Sequence, residues 1–172
     1  MIGQRLIDEL NKQLTRELES AHTYIAISAY FHSEDLPGFA NFFMVQSDEE
    51  RFHAMKIFNY INQINERIKI GGIEAPKNDF SSILDAFNHA FEHEKALTTK
   101  IYNLMDIAAE EREYATISFL KWFVDEQIEE QDLFNGIIKK LERIQNDPAA
   151  IYMLDSQLAQ RAFTPPAADS AE

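Results

Sequence analysis

The sequence of 172 residues contains no cysteine, which excludes disulfide bonds, thiolate clusters and cysteine nucleophiles. Glycine and proline occur only 5 times each, so long segments run without a residue that breaks a helix. The longest apolar run, residues 24–31, contains Ser28 and is far too short to cross a bilayer. The N-terminal stretch also has no apolar signal core, and we therefore expect a cytoplasmic protein with no membrane association.

Basic residues are scarce as well, with 16 Lys and Arg against 29 Asp and Glu, a formal net charge of −13. This balance disfavours nucleic acid and anionic membranes as partners and favours cations. Hydrophobic residues nevertheless make up 45 % of the chain, and 13 of the residues are Phe, which argues against disorder. The length suits one domain with a substantial core, which we expect over residues 1–163, followed by a flexible tail over residues 164–172.

The few glycines and prolines separate segments that have the apolar spacing of amphipathic helices. This pattern predicts four long helices over about 3–33, 37–65, 82–109 and 113–145, and a short fifth helix over about 148–163. Neither glycine nor proline marks the boundary between the third and fourth helices, so that boundary rests on spacing alone.

The joints between the helices determine the topology. Short connections make the first two helices antiparallel, and likewise the third and fourth. The connector between the second and third helices has about 15 residues and can reach roughly 50 Å, whereas a helix of about 28 residues is roughly 42 Å long. It can therefore run the length of the bundle and make these two helices parallel. The predicted fold class is all-α: a four-helix bundle with a long crossover between helices two and three and a short fifth C-terminal helix.

Every inward-facing apolar stripe is interrupted near its middle by side chains that can bind metal. Helix two, for example, carries Glu50 and His53 about one turn apart on the same side. The midpoints of equally long helices in a bundle share one level, whichever way each helix runs. We therefore expect convergence of Glu17, Glu50, His53, Glu94, Gln127 and Glu130.

Four carboxylates in an apolar core each carry a desolvation penalty of several kcal/mol and repel one another. They must hold protons, with raised pKa values, or bind cations. Oxygen ligands with one imidazole suit Fe, Mn or Zn, and two divalent ions would balance the four negative charges. Any one of these Glu residues taken alone could instead reach solvent, and His53 alone could be a hydrogen-bonded core imidazole. Their coincidence on four helices favours the metal interpretation.

Over about residues 5–160 these features resemble the ferritins of the bacterial and archaeal non-haem type, whose ferritin-like bundles hold di-iron sites. Symmetric di-iron bundles carry two Glu-x-x-His motifs, of which only Glu50-x-x-His53 is present here. The second position reads Gln127-x-x-Glu130, which is similar to ferritins and unlike bacterioferritins or rubrerythrins, which keep the second His-containing motif. Phe52 stands where bacterioferritins place a haem-ligating Met, so no haem is expected. The absence of cysteine also excludes the cysteine-ligated iron domain of rubrerythrins.

The resemblance implies an iron-storage protein with ferroxidase activity, which oxidises Fe(II) with dioxygen or hydrogen peroxide at an intrasubunit di-iron centre. It also implies that the Fe(III) mineral is stored inside a homo-oligomeric shell of 24 subunits. By the same resemblance, Glu17, Glu50 and His53 look like the first iron site. Glu50 would bridge to a second iron held by Glu94 and Glu130.

The resemblance extends to further positions. Gln127 would lie close to the second iron, and Tyr24 looks like the ferritin tyrosine beside the centre, with either a catalytic redox role or a purely structural one as a core aromatic with a bonded hydroxyl. Glu49, Glu126 and Glu129 resemble the ligands of a third, inward-facing iron site in bacterial ferritins. These three could equally form a solvated acidic face.

Two other classes of function remain open from the sequence. One is a di-iron redox enzyme, a peroxidase or oxidase, that stores no iron. The other is a helical scaffold that binds no metal. Size in solution separates storage from the first alternative, and tight binding of Fe(II) or Zn(II) separates it from the second.

Overall fold

The computed structural model describes residues 2–165, and these residues form five helices and no strand. The helices are α1 (Gln4–Ser33), α2 (Pro37–Gln63), α3 (Ile83–Glu110), α4 (Tyr114–Ile144) and α5 (Pro148–Leu158). The first four form the bundle and α5 packs against α2 and α4, which confirms the predicted fold class. No helix in this described part is long and apolar enough to span a membrane. Most of the predicted tail, residues 166–172, lies outside the described residues.

Contacts at the ends of α1 establish the topology. Phe31, at the end of α1, stacks on Phe39 at the start of α2, with ring centroids 5.3 Å apart. The backbone amide of Gly3, just before α1, donates to the carboxylate of Glu111 at the end of α3 (3.0 Å). Because α1 is antiparallel to both α2 and α3, those two helices run parallel, as the crossover length predicted. The crossover is attached to α1 by Asn11, whose side-chain oxygen accepts from the amide of Lys69 (2.6 Å).

The core divides into two apolar clusters separated by a layer of polar side chains. The cluster near α5 is aromatic and includes Phe31, Phe43, Phe87 and Phe134. The opposite cluster is mostly aliphatic, built from residues of the start of α1, the end of α2, the end of α3 and the start of α4. The metal-binding side chains predicted from the sequence occupy the stretch of each helix between the two clusters.

Each of the four long helices ends with a residue other than glycine at positive φ: Asp35, Asn65, Arg112 and Gln145, with φ of 56°, 59°, 57° and 50°. At the end of α3, the amide of Arg112 donates to the carbonyl of Ala109 and that of Glu113 to the carbonyl of Ala108, a Schellman arrangement. These bonds satisfy the last carbonyls of α3 and turn the chain into α4. The boundary at this position therefore needs no glycine.

The fifth helix is shorter than predicted, since it ends at Leu158 rather than near residue 163. The side-chain amide of Asn41 on α2 donates to the carbonyls of Leu158 (3.1 Å) and Arg161 (2.9 Å), which lie at the end of α5 and just beyond it. In the other direction, the carboxylate of Asp155 on α5 accepts from the amide of Phe39 (2.9 Å) and caps α2. The end of the chain is thereby fastened to α2.

The close approach of α5 to α2 depends on Gly38. A methyl group at this position would lie 1.7 Å from the backbone carbonyl oxygen of Asp155. Gly38→Ala should therefore destabilise the protein by roughly 1–3 kcal/mol, because the backbones must separate. Urea unfolding followed by circular dichroism measures this change.

Gly136 in α4 provides the matched control, because nothing lies within 4 Å of a methyl group added there. Gly136→Ala should stabilise the protein by roughly 0.5–1 kcal/mol through the higher helix propensity of Ala. Equal effects of the two substitutions would contradict the assigned role of Gly38.

Candidate metal centre

Six ligand-type side chains from the four long helices meet in the polar layer of the core. Their exposure ranges from 0 % to 4 %, so they are shielded from solvent to the same extent as the surrounding core residues. The six are Glu17 on α1, Glu50 and His53 on α2, Glu94 on α3, and Gln127 and Glu130 on α4.

Glu17, Glu50 and His53 form one compact half of this layer. Nδ1 of His53 lies 3.7 Å from Oε2 of Glu50 and 3.9 Å from Oε2 of Glu17. One potential ligand atom from each residue lies within 4.8 Å of the others, which suits coordination of a single ion. Within the described part of the chain, Nδ1 of His53 and both oxygens of deprotonated Glu50 have no protein hydrogen-bond donor or acceptor. Buried polar atoms without partners are rare and costly, and a cation would satisfy all three.

The protonation state of His53 suits coordination. Burial, followed by the positive charge of Lys56, lowers the pKa of His53 to about 4. The imidazole is therefore neutral at pH 7 and has a lone pair available for a metal. Trp122 packs edge-on to the His53 ring, with centroids 5.3 Å apart, and helps to hold it in place.

Glu94 and Glu130 form the other half, where the carboxylates have protein donors. The hydroxyl of Tyr24 donates to Oε1 of Glu94, and the amide of Gln127 donates to Oε2 of Glu94 (3.2 Å). Burial, and then the charge of Glu94, raise the pKa of Tyr24 well above its usual range, so its hydroxyl keeps its proton. The amide of Gln46 donates to Oε2 of Glu130 (2.8 Å). These hydrogen bonds fix both carboxylates in orientation.

The carboxyl groups of the layer hold protons strongly when no cation is present. Burial, and then the charges of Glu94 and Glu17, raise the pKa of Glu50 well above its usual value. Burial is also the main cause that raises the pKa of Glu94 to about 7 and of Glu130 to about 8, in spite of the hydrogen bonds they accept. Binding of divalent ions would therefore exchange protons for metal.

The three residues assigned by resemblance to a third site lie at the edge of the layer. Glu49 and Glu126 are partly buried and Glu129 is exposed. Oε1 of Glu126 lies 3.9 Å from Nε2 of His53, whereas Glu17 and Glu50 approach the other ring nitrogen, Nδ1. Glu49 instead pairs with Arg161, which donates to its Oε2 at 2.7 Å. The third site remains a prediction.

The structure adds supporting residues that the sequence did not assign to the site. The amide of Gln13 donates to Oε1 of Glu17 (2.7 Å), and Gln127 also donates to the hydroxyl of Thr98 (3.0 Å). Gln13 and Thr98 each lie one helical turn from a predicted ligand, so the i, i+4 spacing could have identified them. Arg161 has no such signal, because it lies far along the chain beyond the bundle.

Comparison with known proteins gives a consistent set of relatives. A family model for the ferritin-like domain matches residues 7–144. The chain is 45 % identical over 163 residues to the bacterial non-heme ferritin of Staphylococcus aureus (strain USA300), covering 95 % of this chain and 98 % of that protein. It is 44 % identical, with the same coverage, to the bacterial non-heme ferritin of Staphylococcus saprophyticus.

Solved structures agree with these relatives. A closed form of the Archaeoglobus fulgidus ferritin, engineered by site-directed mutagenesis, superposes with a TM-score of 0.94 at 39 % identity, covering 95 % of this chain and 100 % of that one. A humanized archaeal ferritin gives a TM-score of 0.95 at 39 % identity, over 96 % of this chain and 100 % of the other.

The raised pKa values predict how stability of the metal-free protein depends on pH. Because folding raises the pKa of Glu94 to about 7 and of Glu130 to about 8, from 4.5, the folded state binds their protons more tightly than the unfolded state does. Their contribution to stability is complete below about pH 4.5 and is lost as the pH rises through 7 and 8. Urea unfolding in the presence of a chelator, at a series of pH values, should show this decline.

Glu130→Gln should flatten the decline, because the amide cannot ionise. Glu129→Gln removes an exposed carboxylate from the next position and should leave the slope unchanged. An identical slope in the two variants would contradict the assignment of a raised pKa to Glu130.

Proposed function

The chain belongs to the ferritin family and its function is iron storage; on this premise we propose that its buried polar layer is a ferroxidase centre that binds and oxidises two Fe(II) ions. The observation that carries the proposal is the Glu17, Glu50 and His53 group, whose ligand atoms converge and include three buried atoms that have no protein hydrogen-bond partner among residues 2–165. Glu94 and Glu130 supply the oxygens for a second ion, with Gln127 close by.

Charge balance supports binding of two ions. Glu17, Glu50, Glu94 and Glu130 carry four negative charges when deprotonated, and two Fe(II) ions carry four positive charges. The charges of Glu94, Glu17 and Glu130 all raise the pKa of Glu50, so its carboxyl group interacts with carboxylates on the three other long helices. This position suits a carboxylate shared by both ions.

Fe(II) is the substrate, and the residues of the chain hold it and manage protons. Because their pKa values are raised, Glu94 and Glu130 retain protons at pH 7, and they release these protons as Fe(II) binds. Two Fe(II) ions then each give one electron to dioxygen, which takes up two protons and becomes hydrogen peroxide, leaving two Fe(III) ions. Hydrogen peroxide as oxidant would take up the same two electrons and two protons and yield two molecules of water. Because the site would hold the two Fe(II) ions side by side, the oxidant can take both electrons at one place.

We further propose that copies of this chain assemble into a hollow shell of 24 subunits that retains the Fe(III) mineral. The named relatives that cover almost the whole chain are ferritins, which supports storage over a di-iron peroxidase or oxidase without storage. The convergent ligand atoms likewise disfavour a metal-free scaffold. The cytoplasmic location, the choice of oxidant and the absence of haem stay predictions.

Removal of a central ligand should abolish rapid oxidation of Fe(II). Glu50→Ala and His53→Ala each remove a group that faces the proposed ions, and we expect at least roughly a hundredfold lower initial rate, as for loss of a principal catalytic group. The rate is followed by the absorbance of Fe(III) after mixing with aerobic Fe(II).

Matched controls are Glu74→Ala in the crossover and His22→Ala on α1, both of which change exposed residues of the same type. These should oxidise Fe(II) at the normal rate, and all four variants should keep the native assembly size. Rapid oxidation by either central variant would refute the assigned centre.

Assembly and storage give a separate test. A shell of 24 chains of 19.9 kDa has a mass of roughly 480 kDa. Light scattering should report this mass, and the particle should keep its iron through size-exclusion chromatography after aerobic loading. A monomer or dimer that retains no iron would favour the redox enzyme without storage.

A further inference from the structure

The segment that follows α5, residues 159–163, folds back along α2, and we call it the C-terminal latch. Its backbone is held by Asn41, which donates to the carbonyls of Ala159 (3.4 Å) and Arg161 (2.9 Å). Phe163 at its end packs edge-on against Phe52 on α2, with ring centroids 5.8 Å apart. The latch therefore has a defined position against the helix that carries Glu50 and His53.

Arg161 is the one charged side chain of the latch, and three contacts hold its guanidinium. It donates to Oε2 of Glu49 (2.7 Å) and to the backbone carbonyl of Phe42 (3.3 Å), and it lies 4.6 Å from the centroid of the Phe42 ring. The side chains of Arg161 and Glu49 are only 20 % and 16 % exposed. A charge-assisted bond shielded in this way is stronger than an ion pair in water.

The Arg161–Glu49 pair lies within the electrostatic field of the metal centre. Glu49 directly precedes Glu50, and its negative charge contributes to the raised pKa values of Glu94, Glu126 and Glu130. The positive charge of Arg161 acts on Glu130 in the opposite direction. The latch thus places a resident cation beside the carboxylates of the proposed ferroxidase centre.

We propose that Arg161 is a built-in competitor for iron at the outer edge of the centre, so that an ion can use the Glu49 carboxylate only after the guanidinium has been displaced. This inference rests on the proposed function and concerns an ion beyond the two at the central carboxylates. Arg161 acts here as a positioning residue, because it controls the availability of Glu49 and touches none of the central ligands. The consequence is an outer ion that binds more weakly than the central pair.

A purely structural role for Arg161 makes different predictions. If Arg161 served only to fasten the latch, its loss would loosen α5 and the chain around it without tightening the binding of any ion. The number and affinity of the bound ions therefore separate the two roles, and neither quantity requires turnover.

The experiment is a calorimetric titration of the full-length, assembled, metal-free protein with Zn(II), which does not change oxidation state. Arg161→Gln is compared with Arg143→Gln, which removes the same charge from an exposed position in the last turn of α4. We expect Arg161→Gln to bind the last zinc ion at least roughly tenfold more tightly than Arg143→Gln, with the first two ions unchanged. Equal affinity for the last ion in both variants, or weaker binding of the first two in Arg161→Gln, would overturn the proposal.

Two further variants test the mechanism. Adding Glu49→Gln to Arg161→Gln should cancel the gain in affinity for the last zinc ion, because the double variant lacks the carboxylate that loss of Arg161 makes available. Arg161→Lys keeps a positive charge in the latch and should leave the last ion weakly bound. A gain that persists without the Glu49 carboxylate, or that appears equally in Arg161→Lys, would contradict competition for Glu49.

The same titration separates failure of this inference from failure of the proposed function. Glu50→Ala should lose the first two ions whatever occupies residue 161. If the native protein shows no zinc binding that depends on Glu50, the ferroxidase centre and the competition both fail. If that binding is present and Arg161→Gln has no effect, only the competition fails.

Discussion

The structure depends on one constraint, which is that an apolar core cannot hold four neighbouring carboxylates in the charged state without cations or protons. Two apolar clusters fill the ends of the bundle, and the acidic layer lies between them. Burial raises the pKa of Glu94 to about 7 and of Glu130 to about 8, so without cations the layer is partly neutralised by protons at physiological pH. Stability and cation binding are consequently linked through the same side chains.

The bundle satisfies this constraint by bringing the middles of four long helices to one level. The crossover of residues 64–82 makes α2 and α3 parallel, yet the direction of a helix does not affect the level of its midpoint. Length and packing are therefore what align Glu17, Glu50, Glu94 and Glu130. The attachment of α5 to α2, through Asp155 and the close approach at Gly38, adds a further element beside the aromatic cluster at one end of the bundle.

The sequence was sufficient for the fold class and for the convergence of the six inward residues, because both follow from periodic spacing. It was insufficient where a contact between residues far apart in the chain determines where a helix ends or which side chains pair. The end of α3 was predicted to within one residue of its position at Glu110. The end of α5, predicted near residue 163, comes instead at Leu158, where Asn41 of another helix donates to the backbone carbonyl. The pairing of Glu49 with Arg161 joins residues 112 positions apart, and no helical periodicity relates them.

The two halves of the metal centre differ in how they are prepared for a cation. In one half, Nδ1 of His53 and the oxygens of deprotonated Glu50 accept from no protein donor among the described residues, so an ion there displaces a proton of Glu50 but no protein donor. In the other half, Glu94 accepts from Tyr24 and Gln127, and Glu130 accepts from Gln46, so an ion must compete with these donors and displace protons. The first half is thus preorganised for an ion, whereas binding of an ion in the second half replaces hydrogen bonds from protein donors. In the proposed ferroxidase centre, a half that binds less firmly would favour release of the oxidised product.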